Sequence, residues 1–158
     1  MKTVILIGPV TRRAGYGEQA RFALRSLRAN EDRFNILIQD IPWGKSGQVS
    51  EDSEEQRYIM ETMAKTQQHI QNNLPIDISI QVTIPNEFKK YAPVNIGYTA
   101  GIETTRVTPQ WIQQAELMDK IILYPIIQRM YIKKQHMREP MRRQAKRLLF
   151  KHKSQWKS

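Results

Sequence analysis

Short apolar runs and longer stretches of helical periodicity alternate along most of this chain. The first run, residues 4–7, is rich in β-branched side chains and ends at Gly8, which is typical of a strand buried on both faces of a parallel sheet. Apolar residues then recur at the i, i+3, i+4 and i+7 spacing of one helix face: Ala20, Ala23, Leu24 and Leu27. The opening therefore predicts a strand, a loop and an amphipathic helix.

The same alternation continues to residue 123. Ser53 begins a capping-box pattern, which predicts a helix that closes at Asn72, Asn73 and Pro75 and that exposes His69. Residues 77–82 alternate polar and apolar, which predicts a strand with one less buried face. Further strands are predicted at 34–38, 94–98 and 119–123, and a helix starts at Pro109. This order predicts an α/β fold, with a Rossmann-like open, mostly parallel sheet and helices on both faces.

The charge is distributed unevenly along the 158 residues. Residues 1–120 carry 14 Lys and Arg against 14 Asp and Glu, whereas residues 121–158 carry 11 basic residues and one acid, Glu139. The whole net charge of +10 therefore comes from the last part of the chain. We divide the chain into a domain at 1–123 and a basic C-terminal tail at 124–158, which we expect to be disordered or loosely helical.

Several chemistries are excluded or disfavoured by the composition. The chain has no cysteine, so thiolate nucleophiles and disulfides are impossible, and a cytoplasmic location fits. The apolar run near the N-terminus is too short for a membrane span of about 20 residues. His69, His136 and His152 do not have the spacing of metal ligands, so no metal site is expected.

Two loops follow predicted strands at the sheet edge where parallel α/β folds bind ligands. The first contains Gly15, Tyr16 and Gly17 at the start of the first helix, where N–H groups and the helix dipole suit a phosphate. The alternative is that these glycines only form a turn. Trp43, in the next loop, is either a core-edge cover or a surface on which a substrate stacks.

The second loop, residues 98–106, brings hydroxyl groups, one carboxylate and one guanidinium together. Glu103 and Thr104 are able to bind sugar hydroxyls, and Arg106 is able to bind a phosphate or carboxylate. The alternative is a solvated loop in which Thr108 caps the next helix.

Both loops resemble those of family 4-like glycosyltransferases with the GT-B fold. The resemblance is carried by residues 6–9 and 15–21, then by residues 98–105, Trp111 and residues 118–122. It implies the N-terminal, acceptor-side domain of an enzyme that transfers a sugar from a nucleotide-sugar donor to an acceptor. By this resemblance Gly15, Tyr16 and Gly17 lie near the donor phosphates or sugar, and Glu103, Thr104 and Arg106 face the acceptor. No metal and no tightly bound cofactor are implied.

The family also has a second, donor-binding domain, for which this chain has no counterpart. We therefore expect the chain to be incomplete and inactive alone, and to require a C-terminal domain or subunit. Several codons are possible for each of residues 124–131. When the possible nucleotide sequences are read one base earlier, they permit a Ser-Lys segment like that of the family. Our hypothesis is therefore that the tail is an out-of-frame ending. The alternative is a small α/β binding module whose basic tail contacts nucleic acid or, more readily, an anionic membrane surface.

Overall fold

The computed structural model describes residues 1–48, 53–100 and 109–123, and these form an α/β domain around a five-stranded parallel sheet. The strand order is β2-β1-β3-β4-β5, one of the two common orders of doubly wound folds. The predicted alternation of strands and helices is confirmed. The elements are β1 (Lys2–Gly8), α1 (Gly15–Arg28), β2 (Phe34–Asp40), α2 (Glu54–Gln71), β3 (Ile78–Val82), a 3₁₀ turn (Pro85–Glu87), β4 (Val94–Thr99), α3 (Pro109–Ala115) and β5 (Lys120–Leu123).

One face of the sheet is apolar and is covered by α1, while α2 packs along the edge strand β2 and contributes to the same apolar cluster. The register pairs Val4 with Ile36 and Leu6 with Ile38, so all four side chains project from the same face. Leu24 of α1 and Ile59 of α2 are fully buried against them. The helical spacing read from the sequence therefore identifies the surface of α1 that packs on the sheet.

The opposite face is polar in the middle of the sheet, and it is also buried. Ser79 and Gln81 on β3 are 0% and 1% exposed, whereas Ile78 and Ile80 are only partly buried, so the less buried face of this strand is the apolar one. The Gln81 amide donates to the Lys89 carbonyl at 2.7 Å and accepts the Lys89 N–H at 2.9 Å. Ser79 donates to Asn95 at 2.8 Å. These hydrogen bonds offset the free-energy cost of removing the polar groups from water.

The two ends of α2 follow the sequence pattern, but one of its side chains does not. Ser53 accepts a hydrogen bond from the Gln56 N–H at 3.2 Å, as the capping box predicts. After the last turn, Asn73 adopts a left-handed conformation with φ of 51°, which ends the helix. His69 is only 9% exposed and its Nε2 lies 3.0 Å from the Pro75 carbonyl, so the prediction of an exposed histidine is wrong.

Helices α1 and α2 are joined by ion pairs on their outer surface. Arg25 donates to both oxygens of Glu55, from Nε at 2.7 Å and from the second nitrogen at 2.8 Å. This fork lowers the pKa of Glu55 below its usual value near 4.5. Because the folded-state pKa is the lower one, the pair stabilises the fold above pH 4.5, and this stabilisation is lost as the pH falls through the folded pKa.

We therefore expect acid to destabilise the native chain more than its Glu55→Gln variant. The acid-induced loss of unfolding free energy should be larger in the native chain than in the variant by less than about 1 kcal/mol, because half-exposed ion pairs are weak. Urea unfolding at neutral pH and below pH 4 measures it. Glu54→Gln is the control, since Glu54 is 87% exposed and lies 3.5 Å from Arg28. Parallel pH profiles for the native chain and Glu55→Gln would contradict this account.

Candidate functional site

Loops that follow β1, β2 and β4 meet at the carboxyl-end edge of the sheet. The loop after β1 runs beside the loop after β2: Arg12 bridges Gln48, and the Arg13 N–H donates to the Gly47 carbonyl at 2.9 Å. The loop after β4 reaches them at Ala100, whose N–H donates to the Tyr16 hydroxyl at 3.2 Å. The described residues thus assemble one continuous surface from segments that are distant in sequence.

Asp40 anchors the first of these loops to the end of β2. Its carboxylate accepts the Thr11 N–H at 3.1 Å and the Thr11 hydroxyl at 2.7 Å. Val10, the preceding residue, is fully buried in the apolar core. The loop is therefore fixed by one apolar and one polar contact before it enters α1.

A buried arginine holds the same loop from below. Arg21 on α1 is 6% exposed, and its guanidinium donates at 2.9 Å to the carbonyls of Val10 and Arg12. Its second terminal nitrogen contacts Glu18 at 2.6 Å. The planar fork of arginine reaches all three oxygens at once, which a single ammonium group does not do with the same geometry.

We expect Arg21→Lys to lower the free energy of unfolding by about 1–3 kcal/mol, since a single ammonium group leaves at least one of the buried carbonyls without its donor. Urea unfolding monitored by circular dichroism measures this loss. Arg25→Lys, on the exposed side of the same helix, is the matched control and should cost less than about 1 kcal/mol. Equal losses for the two variants would show that the Arg21 contacts do not hold the loop.

Gly17 and Gly15 occupy different environments although they lie two residues apart. A Cβ on Gly17 would meet the Arg12 carbonyl oxygen at 2.1 Å, because the first turn of α1 packs against the loop backbone. A Cβ on Gly15 has no described atom within 4 Å. Neither glycine has a positive φ. Close packing against the loop backbone therefore accounts for Gly17, whereas packing in the described fold does not require glycine at position 15.

The N-terminus of α1 is open at this point. The residue before the helix, Ala14, has extended backbone and a methyl side chain, which cannot accept a hydrogen bond from the first N–H groups of the helix. Arg12 and Arg13 immediately precede it, and the buried Arg12 Nε makes no hydrogen bond with the described residues. No described side chain caps these N–H groups, and the helix dipole makes this end of α1 electropositive.

Tyr16 connects the site internally rather than projecting freely from it. Its hydroxyl lies 2.9 Å from the Thr99 hydroxyl, and its ring centre lies 4.5 Å from that of Trp43 with the two planes tilted by 38°. Trp43 is partly buried by this contact, which favours its interpretation as a cover over the core edge. The contact of Gly15, Tyr16 and Gly17 with a donor stays a prediction.

The residues predicted to face the acceptor, Glu103, Thr104 and Arg106, lie outside the described residues. The described chain leads to them through Thr99, which is buried at the end of β4, and through Ala100. Sequence reasoning assigned no role to Arg21 or Asp40. The signal for Arg21 is a charged residue on the apolar face of α1. The signal for Asp40 is an acidic residue at the end of a strand.

The described residues contain neither a cluster of metal-binding side chains nor a membrane-spanning helix. No group of three or more His, Asp or Glu side chains within residues 1–48, 53–100 and 109–123 is arranged to hold a metal ion. No helix in these ranges has the length and apolar character needed to cross a membrane.

Comparison of the chain with protein-family models, with curated proteins and with solved structures gives no match.

Proposed function

We propose that this domain is the acceptor-side half of a glycosyltransferase, and that the diphosphate of a nucleotide-sugar approaches the N-terminus of α1 at Gly15. The observation that carries the proposal is the open, uncapped start of α1 at the carboxyl-end edge of a parallel sheet. The resemblance of residues 6–9, 15–21 and 98–105 to family 4-like glycosyltransferases supplies the reaction class.

The surroundings of Gly15 support an approaching phosphate. Gly15 is exposed, and space around it admits a ligand to the backbone N–H groups. Arg21 and the close packing at Gly17 hold the loop backbone against α1. A site that is already in its binding conformation loses less entropy on binding, which increases affinity.

The proposed chemistry relies on position and charge. In glycosyl transfer the bond between the sugar and the diphosphate breaks, and negative charge develops on the leaving diphosphate. The N–H groups at the start of α1 and the guanidinium groups of Arg12 and Arg13 would stabilise that charge. A second domain or subunit would make most of the contacts with the donor. The isolated chain would therefore bind the diphosphate weakly.

Titration of the ¹⁵N-labelled chain with uridine diphosphate tests this proposal. We expect amide shifts centred on Gly15, Tyr16 and Gly17, with a dissociation constant on the order of 1 mM, and no shifts with uridine alone. The amides of Leu74 and Asp77, which precede β3 at the amino-end edge of the sheet, serve as internal controls. Equal shifts with uridine and its diphosphate, or none with either, would overturn the proposal.

The charge distribution favours a second candidate function. Residues 121–158 carry 11 basic residues and one acid, a composition suited to an anionic membrane surface or, less readily, nucleic acid. If this is the function, the full chain should bind vesicles that contain anionic lipid, and added salt should release it. Removal of residues 124–158 should abolish that binding. Binding that survives the deletion would refute this second candidate.

A further inference from the structure

We infer that Tyr16 is a positioning residue that couples the start of α1 to the beginning of the loop after β4. The inference rests on the proposed function, because the bound ligand that it invokes is the diphosphate of that proposal. It concerns the Tyr16 hydroxyl and ring, and it identifies how a ligand at the start of α1 would be sensed at Ala100.

The hydroxyl of Tyr16 makes two contacts at the end of β4. It lies 2.9 Å from the Thr99 hydroxyl and accepts the Ala100 N–H at 3.2 Å, joining residues 83 and 84 positions apart. Thr99 is 2% exposed, so its hydroxyl has little access to water as an alternative partner. Leaving a buried hydrogen-bonding group without its partner costs free energy, so separation of the Tyr16 and Thr99 hydroxyls would be unfavourable.

The ring of Tyr16 is held from the other side. It packs against Trp43, which belongs to the loop after β2, at a centroid distance of 4.5 Å. That loop is fixed in turn by the bond from the Arg13 N–H to the Gly47 carbonyl. Tyr16 is therefore clamped between two loops and has little freedom to rotate independently of the backbone at the start of α1.

This clamp ties the start of α1 to the end of β4. Tyr16 lies between Gly15 and Gly17 in sequence, so a small displacement of the first helical turn moves its hydroxyl. Ala100 immediately precedes the segment that contains Glu103 and Thr104. A phosphate that draws the N–H groups of α1 towards itself would thus shift the backbone at Ala100 through Tyr16. Such transmission requires a continuous chain of contacts, which the hydroxyl supplies.

Tyr16→Phe isolates the hydroxyl, because phenylalanine keeps the ring against Trp43 and removes only the oxygen. The experiment is the titration of ¹⁵N-labelled chain with uridine diphosphate, with the Ala100 amide as the second reporter. In the native chain we expect shifts at Gly15 and Gly17 and also at Ala100. In Tyr16→Phe we expect the shifts at the two glycines to remain and the shift at Ala100 to be lost.

Thr99→Val gives a second variant that alters the same junction from β4. It replaces the hydroxyl by a methyl group of similar size and should reduce the ligand-linked shift at Ala100. Tyr91→Phe is the matched control, since Tyr91 is 43% exposed, and should respond as the native chain does. Because the reporter is a ligand-linked shift, a variant that is only less stable would not remove it selectively.

The outcomes separate the two proposals. Absence of shifts at Gly15 and Gly17 in the native chain would refute the proposed function and, with it, the coupling. Shifts at those glycines with an equal Ala100 response in the native chain and in Tyr16→Phe would overturn the coupling alone. Selective loss at Ala100 in both Tyr16→Phe and Thr99→Val would establish Tyr16 as the connection.

Discussion

Gly17→Ala is expected to lower the free energy of unfolding by about 3 kcal/mol, at the upper end of the range for an inserted methyl group. The added Cβ would lie 2.1 Å from the Arg12 carbonyl oxygen and 3.0 Å from that of Pro9. Both obstacles are backbone atoms. The Arg12 carbonyl also accepts a bond from the buried Arg21, so a displacement would break a charged hydrogen bond as well.

Gly15→Ala is the matched control for that experiment, two positions earlier on the same helix. A Cβ there has no described atom within 4 Å, and alanine favours the helix over glycine. We expect its unfolding free energy to be unchanged or raised by less than about 1 kcal/mol. Urea unfolding of both variants measures the contrast. A Gly17→Ala variant as stable as Gly15→Ala would show that the loop does not approach α1 as closely as described.

Gly97→Ala should have the next largest effect, a loss of about 2 kcal/mol. Its Cβ would meet two ring carbons of Phe88 at 2.6 and 2.7 Å and the Met118 Cγ at 3.2 Å. Phe88 is 1% exposed, so its ring has no open space into which it can move. The strain is purely steric, because Gly97 does not adopt a positive φ.

Phe88→Leu provides the test of that explanation, because leucine lacks the outer ring atoms that a Cβ on Gly97 would meet. Alone it should destabilise the fold through a cavity, by about 1–3 kcal/mol. Combined with Gly97→Ala, the loss should be smaller than the sum of the two single losses. Unfolding free energies of the four members of this cycle measure the coupling. Strict additivity would mean that Phe88 is not the obstacle.

The sequence predicted the order of elements because their burial follows simple periods. The apolar run of β1 and the i, i+3, i+4 pattern of α1 reflect packing against one sheet, which local spacing reports directly. The capping box at Ser53 was equally local. These features depend on residues within one or two turns, so spacing alone was sufficient to predict them.

The errors occurred where polar side chains are buried by distant partners. The alternation at residues 77–82 predicted one less buried face but did not show that the polar side chains Ser79 and Gln81 lie on the buried one, because alternation does not distinguish solvation from satisfied hydrogen bonds. His69 read as exposed for the same reason, although Pro75 supplies its partner. Such partners are brought by the connecting segments, whose path is not encoded in a local period.

The sequence predicted that the first loop of the candidate site lies at the carboxyl-end edge of the sheet, but it did not predict the contacts within that loop. The glycines of the first loop looked alike in sequence, yet packing explains Gly17 and leaves Gly15 without a structural requirement. The contact of Tyr16 with Thr99 spans 83 positions, so no motif spacing reveals it. The roles proposed for Glu103, Thr104 and Arg106 stay predictions, since these residues lie outside the described ranges.

The most direct test of the central claim compares the affinity of Gly15→Val and of the native chain for uridine diphosphate. Valine should fill the space beside the first N–H groups of α1 without disturbing the described fold. The account predicts at least about tenfold weaker binding, or 1.4 kcal/mol, in Gly15→Val. It also predicts native affinity in Ala64→Val, which adds comparable bulk at an exposed position on α2. Equal affinity in Gly15→Val and the native chain would contradict the claim that a diphosphate binds at the start of α1.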